Sequence, residues 1–284
     1  MKLKKYDIAI VYRIYPGVSK VPPVYNDDKY KLSELCLASF KRALKGLNFK
    51  LYVILDACPL EYKHMFENMF PEVDVEYIEL SQTGNAGTFG KQMDILLNQD
   101  YSDFIYFAED DYFYLPQAFG KMLDFIKSDI NPDFITPFDH LDYYKLKLHD
   151  YDFDKIEYKG QGWRTAATTC MTFLTTKQKL KETESIFRTY TKNNYDSSLW
   201  MSMTKINIFN PVYNLKLISE GKTNIRILLK MWYFGFKQLL FGKKYKLFAP
   251  KPSLSTHMDD VCLAPDIEWN VEFSKFKKNN FYDI

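Results

Sequence analysis

Cysteine is scarce and scattered in this chain of 284 residues: Cys36, Cys58, Cys170 and Cys262 lie far apart. No two of them form a C-x-x-C pair, which argues against a zinc knuckle or a dithiol redox motif. A disulfide framework is not expected at this length. Charge of one sign is lacking too. There are 38 Lys and Arg against 36 Asp and Glu, a formal charge of +2, with no long basic block. Nothing in that balance demands a nucleic-acid partner. The amino-terminal basic residues and the apolar run after them are too short and too polar for a signal peptide. A cytoplasmic protein is expected. Internal repeats, low-complexity stretches and clear linkers are also missing.

What is present is an ordinary globular composition, 46% hydrophobic and 26% charged. The length allows one large domain or two small ones, with a substantial core either way. Aromatics are unusually frequent at 17%, with 22 Tyr and 23 Phe. Core filling is the first expectation for them, and stacking on sugars or bases the second.

The first half alternates strand and helix. Tyr6–Tyr12 predicts a strand, and the stretch from Lys29 to Gly46 a helix with Gly46 at its C-cap. Lys50–Cys58 is a second strand, Leu60–Phe70 a polar helix and Val73–Leu80 a third strand. Asn85–Gln99 is a Gly-containing loop running into a helix. Asp103–Asp110 is a nearly continuous apolar strand, as a central parallel strand should be. A helix begun by Pro116 and a strand at Asp133–Asp139 follow. Beyond them, Gly162–Thr176 reads as one Thr-rich strand, and Lys177–Lys192 and Asp196–Ile206 as helices. The alternation predicts an α/β fold with a mostly parallel, Rossmann-type sheet flanked by helices and an irregular helical C-terminal region. In such sheets ligands bind at the carboxyl ends of the strands. Tyr12, Arg13, Asp56, the Asn85–Gly87 loop and the triplet Glu109-Asp110-Asp111 all fall at predicted strand ends.

The triplet poses a problem, because three adjacent carboxylates repel one another and resist burial. A divalent cation such as Mg²⁺ or Mn²⁺ is one answer, and an acidic, solvated turn is the other. Thr83–Gln92, "TGNAGTFGKQ", offers glycines for close approach and a helix start for an anion, with Lys91 as an added charge. It matches neither the Walker loop nor the dinucleotide fingerprint.

The run "GNAGTFGKQMDILLNQDYSDFIYFAEDDYFY" resembles the core of a GT-A-fold (family-2-like) nucleotide-sugar glycosyltransferase, with its Asn-x-Gly loop and its apolar strand ending in a DXD-type motif. The resemblance extends over about Tyr6 to Asp139 and implies roles residue by residue. Asp111 would hold Mn²⁺ or Mg²⁺ beneath the donor diphosphate, and Asp110 would contact the ribose or the metal's water shell. Asp56 would accept from the nucleobase, Tyr12 and Arg13 would flank the nucleotide, and Asn85, Gly87 and Lys91 would lie near the diphosphate or donor sugar. Asp196, before a helical run and suited to an N-cap, would be the general base. His257 would complete the metal shell. Trp163 and Arg164 would wall the acceptor or donor sugar, next to a loop containing Gly160 and Gly162.

By this resemblance, residues 1–140 form a nucleotide-sugar-binding half and 141–284 an acceptor-binding half of one continuous domain. The implied reaction moves a sugar from a nucleotide-diphospho-sugar, UDP favoured, to a glycan or lipid-linked acceptor with inversion. The rival readings are a sugar-phosphate nucleotidyltransferase and a non-catalytic carbohydrate-binding or scaffold protein. Asn224–Lys246 mixes Lys and Arg with aromatics. It is too charged to span a bilayer, and reads either as a core helix with snorkelling lysines or as a peripheral membrane contact.

Overall fold

The computed structural model describes residues 5–17 and 20–277. The basic start of the chain, residues 1–4, lies outside them. The first strand, β1, is Ile8–Ile14, an apolar and β-branched run buried along its whole length. It is shifted toward the C-terminus from the predicted Tyr6–Tyr12, within the usual uncertainty of element ends. Then come α1 (Lys29–Ala43), β2 (Phe49–Asp56), α2 (Leu60–Met69), β3 (Val75–Leu80), α3 (Gly84–Asn98) and β4 (Phe104–Glu109). Asp28 caps α1 by accepting from the Lys31 N–H at 3.0 Å.

The later elements are β5 (Tyr112–Tyr114), α4 (Ala118–Ile126), β6 (Phe134–Ile135), α5 (Asp142–Lys145), β7 (Lys155–Tyr158), β8 (Gln161–Thr165) and β9 (Phe173–Thr176). They continue with α6 (Lys177–Phe187), α7 (Asp196–Thr204), α8 (Pro211–Ser219), α9 (Lys222–Phe241), β10 (Leu247–Lys251), β11 (Ser255–His257) and α10 (Trp269–Lys277). Pro116 precedes α4 rather than opening it. The predicted Thr-rich strand is two strands in different places. β9 pairs with β4 and β6, whereas β8 pairs with β7 and β10. Ala166–Thr172 crosses between them outside any strand.

One nine-stranded sheet runs in the order β3-β2-β1-β4-β9-β6-β10-β8-β7. Its first four strands are parallel, and seven of the nine run one way, with β8 and β9 opposed. The sheet draws strands from both sides of residue 140, so no domain boundary interrupts it there. Helices cover both faces, as a parallel sheet buried on two sides requires. On one face β1, α1, α2 and α4 share a core with α10. On the other, α3, α6 and α7 pack over β4 and β9. The aromatic residues mostly fill these cores. Phe173 stacks on Phe107 at 4.6 Å and on Phe187 at 5.2 Å, and Trp200 meets its ring edge-on.

A second, two-stranded sheet pairs β5 with β11. The Met258 N–H donates to the Asp111 carbonyl at 2.7 Å, which fastens the C-terminal segment over the end of β4.

Candidate functional site

β1, β2 and β4 lie side by side in parallel, so their last residues open onto one crevice. A cavity of about 210 Å³ lies there, lined by Arg13, Tyr15, Gly17, Lys29, Asp56, Asn85 and the acidic triplet among others. Each of the three carboxylates at the end of β4 meets a different basic side chain. Glu109 accepts from the Arg13 guanidinium and from Thr172 Oγ1 at 2.6 Å. Asp110 pairs with Lys29 Nζ at 2.7 Å and accepts from the Tyr15 N–H at 3.3 Å. Asp111 Oδ2 lies 3.1 Å from His257 Nε2. Repulsion within the triplet is therefore relieved by the charges of Arg13 and Lys29, with the His257 imidazole beside Asp111.

The electrostatics follow from these pairs. Burial works against the Lys29 ammonium, but Asp110 and Asp111 hold its pKa above the ordinary lysine value. Burial would lift the Asp111 carboxyl, yet His257 beside it, with Lys29 and Arg13, keeps it below the usual range. His257 is raised in turn, because Asp111 outweighs the burial of the imidazole.

The residues around the triplet set the loop that enters α3. Arg13 donates to the Asn85 carbonyl at 2.8 Å and to Thr88 Oγ1 at 3.1 Å. Asp56 accepts from the N–H groups of Thr83 at 2.7 Å and Gly84 at 2.8 Å. Two of the donors expected to receive an anion are therefore already taken, and by a carboxylate that would repel one. Both oxygens of Asp56 thus brace the loop.

Other expectations fare differently. Tyr12 is buried in the core with its ring edge-on to Phe40 and Phe66, because β1 turns alternate side chains to opposite faces. Lys91 is exposed and sits two turns into α3, about 10 Å along the axis from its first residue. Gly87 faces its own helix entry, where a Cβ would meet Thr83 Cγ2 at 2.3 Å. Asn85 is exposed and lines the cavity.

Trp163 and Arg164 form no wall of this cavity. Trp163 is 2% exposed and stacks on Phe125 at 4.1 Å. Arg164 is 1% exposed, with its guanidinium 3.7 Å from the centre of the Phe153 ring. Both belong to β8, toward the far edge of the sheet from β1 and β4. Gly160 sits with Lys159 in the turn of the β7–β8 hairpin, at φ values of 74° and 49°. Such a turn favours glycine because its backbone lies in the left-handed region.

Asp196 is the first residue of α7, while Tyr195 holds the N-cap position. Its carboxylate accepts from the Ser197 N–H at 2.6 Å. Burial raises its pKa, the Ser197 bond opposes this, and the charge of Glu109 adds to the rise. It lines a second cavity of about 210 Å³ together with His140, His149, Thr168, Thr169 and Cys170. Burial, then the charges of Asp196 and Glu109, raises the Cys170 thiol, so this residue feels carboxylates from both cavities. A larger cleft of about 630 Å³ lies near the C-terminus of α3 and brings no comparable charged cluster together.

Lys29, Thr172 and the crossing segment at Thr168–Cys170 belong to the site without having been expected there. Lys29 comes from the start of α1 and reaches Asp110 only because α1 packs beside β1. No local pattern marks it.

The residues fit a divalent cation in part. Asp111 Oδ1 is buried and has no hydrogen-bond partner among the described residues, although a buried carboxylate oxygen normally has one. Asp111 and His257 would present one oxygen and one nitrogen donor, a set compatible with Mn²⁺. Among the described residues no group of three or more His, Cys, Asp or Glu is placed to hold a metal ion. The remaining positions would fall to bound ligand and water.

A scan of the sequence against known protein families finds no match. No curated protein matches it either. Solved structures do. Residues 1–349 of S. aureus TarS in complex with UDP are 13% identical, covering 69% of this chain and 54% of that one, with a TM-score of 0.42. The apo form of the glycosyltransferase GlyE of Streptococcus pneumoniae TIGR4 is 11% identical, covering 98% and 61%, with a TM-score of 0.44. The galactosyltransferase LgtC, in complex with donor and acceptor sugar analogues, is 9% identical, covering 80% and 71%, with a TM-score of 0.35. The chain spans about half of the TarS fragment. At these TM-scores the overlaps carry no functional argument.

Proposed function

We propose that this chain is a metal-dependent glycosyltransferase of the GT-A type. It would move a sugar from a nucleotide-diphosphate donor, UDP favoured, to a glycan or lipid-linked acceptor with inversion. The observation that carries the reading is the meeting of Asp111 and His257. They are far apart in sequence, lie 3.1 Å apart at the carboxyl end of a central parallel strand, and leave a buried carboxylate oxygen free.

In this reading Asp111 and His257 would hold Mn²⁺ or Mg²⁺. The bound ion would neutralise charge on the departing diphosphate. Lys29 fixes Asp110, which would contact the ribose or the metal's water shell, and Arg13 holds Glu109 and the entry of α3 in place. Asp196 serves the second cavity as general base. As the acceptor oxygen bonds to the anomeric carbon, its proton passes to the Asp196 carboxylate. The bond from that carbon to the diphosphate oxygen breaks, and the nucleotide leaves with the electron pair. Burial makes Asp196 a better base than a solvated aspartate. Residues 1–140 supply most of the donor side and 141–284 the acceptor side, except that His257 crosses to the donor side.

Thermal shift tests the reading. UDP is expected to raise the melting temperature only when Mn²⁺ or Mg²⁺ is present. A response to a nucleoside triphosphate with sugar phosphate would favour a nucleotidyltransferase. No metal-linked response to any nucleotide would leave a carbohydrate-binding protein without catalysis.

A further inference from the structure

Exposed large apolar side chains concentrate on helices α8 and α9 and at Phe209 just before them. Ten of the eighteen large apolar side chains exposed among the described residues fall between Phe209 and Phe241. On α9, Leu229 is 65% exposed, and Tyr233 and Phe241 are each 81% exposed. On α8, Val212 and Leu215 face water as well. The two sets are joined, since the Phe209 ring meets Trp232 edge-on at 6.2 Å and Trp232 neighbours Phe236 at 6.5 Å.

The opposite side of α9 accounts for its place in the fold. Ile227, Met231, Gly235 and Leu239 are buried. Ser198 Oγ donates to the Ile227 carbonyl at 2.8 Å, and Gly235 lets α7 approach closely. One arc of α9 is therefore a core face and the other is apolar without a covering element. Contiguous exposed apolar surface of this kind marks an interaction site.

Charge identifies the occupant. Residues 209–246 contain eight Lys or Arg against the single Glu220. Lys222, Arg226 and Lys237 of α9 and Lys244 just after it are exposed. A second copy docked face to face would bring two such basic sets together, which electrostatics opposes. Aromatic and leucine side chains with lysines around them suit the boundary between headgroups and acyl chains of an anionic bilayer. No helix among the described residues is long and apolar enough to cross a membrane. We propose that α8 and α9 form a face that lies in the surface of an anionic membrane, with Tyr233, Phe236 and Phe241 inserted and Lys237 and Lys244 on the headgroups. This inference does not depend on the transferase reading.

Co-sedimentation of the full chain with two vesicle types tests it: phosphatidylcholine alone, and phosphatidylcholine mixed with phosphatidylglycerol. Binding should be at least about tenfold tighter to the anionic vesicles and should weaken with salt. Trp232 gives an independent signal, because Trp163, Trp200 and Trp269 are buried and the emission change on binding should be its own. Tyr233→Ser combined with Phe241→Ser should remove binding and the emission shift while leaving the melting temperature unchanged, since both side chains are exposed. Lys237→Glu with Lys244→Glu should lower affinity for anionic vesicles only. Binding that ignores lipid charge and both variants would overturn the proposal. So would a homodimer, seen by sedimentation velocity, that the Tyr233→Ser and Phe241→Ser pair dissolves, because the face would then belong to a second copy.

Discussion

Each carboxylate of the triplet has a different partner, and substitutions at Asp111, at Asp196 and at the Lys29–Asp110 pair should fail in different ways. Asp111→Asn keeps the shape but weakens the donor offered beside His257. It should abolish the metal-dependent part of the UDP thermal shift, worth about 2.7 kcal/mol at a ligand concentration near one hundred times Kd. An unchanged shift would remove Asp111 from the metal site. Asp196→Asn should leave that shift intact and slow transfer by about 10²–10⁴-fold, the usual contribution of a general base. Full turnover in a product assay would rule it out. Lys29→Met strands Asp110 without its cation inside the protein. Breaking such a pair costs about 3–5 kcal/mol. Denaturant titration should show most of this loss recovered when Asp110→Asn is added, because the stranded charge is then gone. The acidic residues themselves were legible from the sequence. Their pairing with Arg13 and Lys29 was not legible, since pairing across long sequence separations depends on which elements pack together, and His257 was expected near Asp111 only through the family resemblance.

At the scale of elements, the close contact between α7 and α9 connects packing to the site. A Cβ on Gly235 would meet Ser202 Cβ at 2.6 Å, and Asp196 stands at the start of the same α7. Gly235→Ala should therefore cost about 1–3 kcal/mol, the usual penalty of overpacking, and lower the transfer rate as α7 shifts. Gly120→Ala is the matched control, since a Cβ there meets nothing within 4 Å inside α4. It should stabilise the protein by about 0.5–1 kcal/mol through helix propensity. Equal effects of the two substitutions would show that close packing is not what Gly235 provides. The strands and helices through β4 could be read from their periodicity, because each buries one regular apolar pattern. The Thr-rich stretch could not. Its composition is uniform, and only the pairing of β9 with β4 and of β8 with β10 divides it.

For the whole molecule, His149 ties stability to pH. Burial lowers its pKa to about 3, with His140 and Arg164 adding to the effect. The unfolded chain binds a proton near pH 6.5, whereas the folded chain does so only near 3. The stability tied to neutral His149 is complete above pH 6.5 and is lost as pH falls toward 3. The loss should approach 1.4 kcal/mol per pH unit in that window, at order of magnitude. His149→Phe should flatten this slope in denaturant titrations between those limits, and an unchanged slope would assign it to other groups.

The sequence by itself determined the α/β class, the parallel first half and the carboxylates at the strand ends. Those features follow from local periodicity and from where each apolar run stops. Only the tertiary structure decided that Tyr12, Trp163 and Arg164 are core residues, that Asp56 braces a loop and that Lys29 reaches Asp110. A side chain's neighbours are set by the register and packing of distant elements, and that information appears only when the whole chain closes on itself.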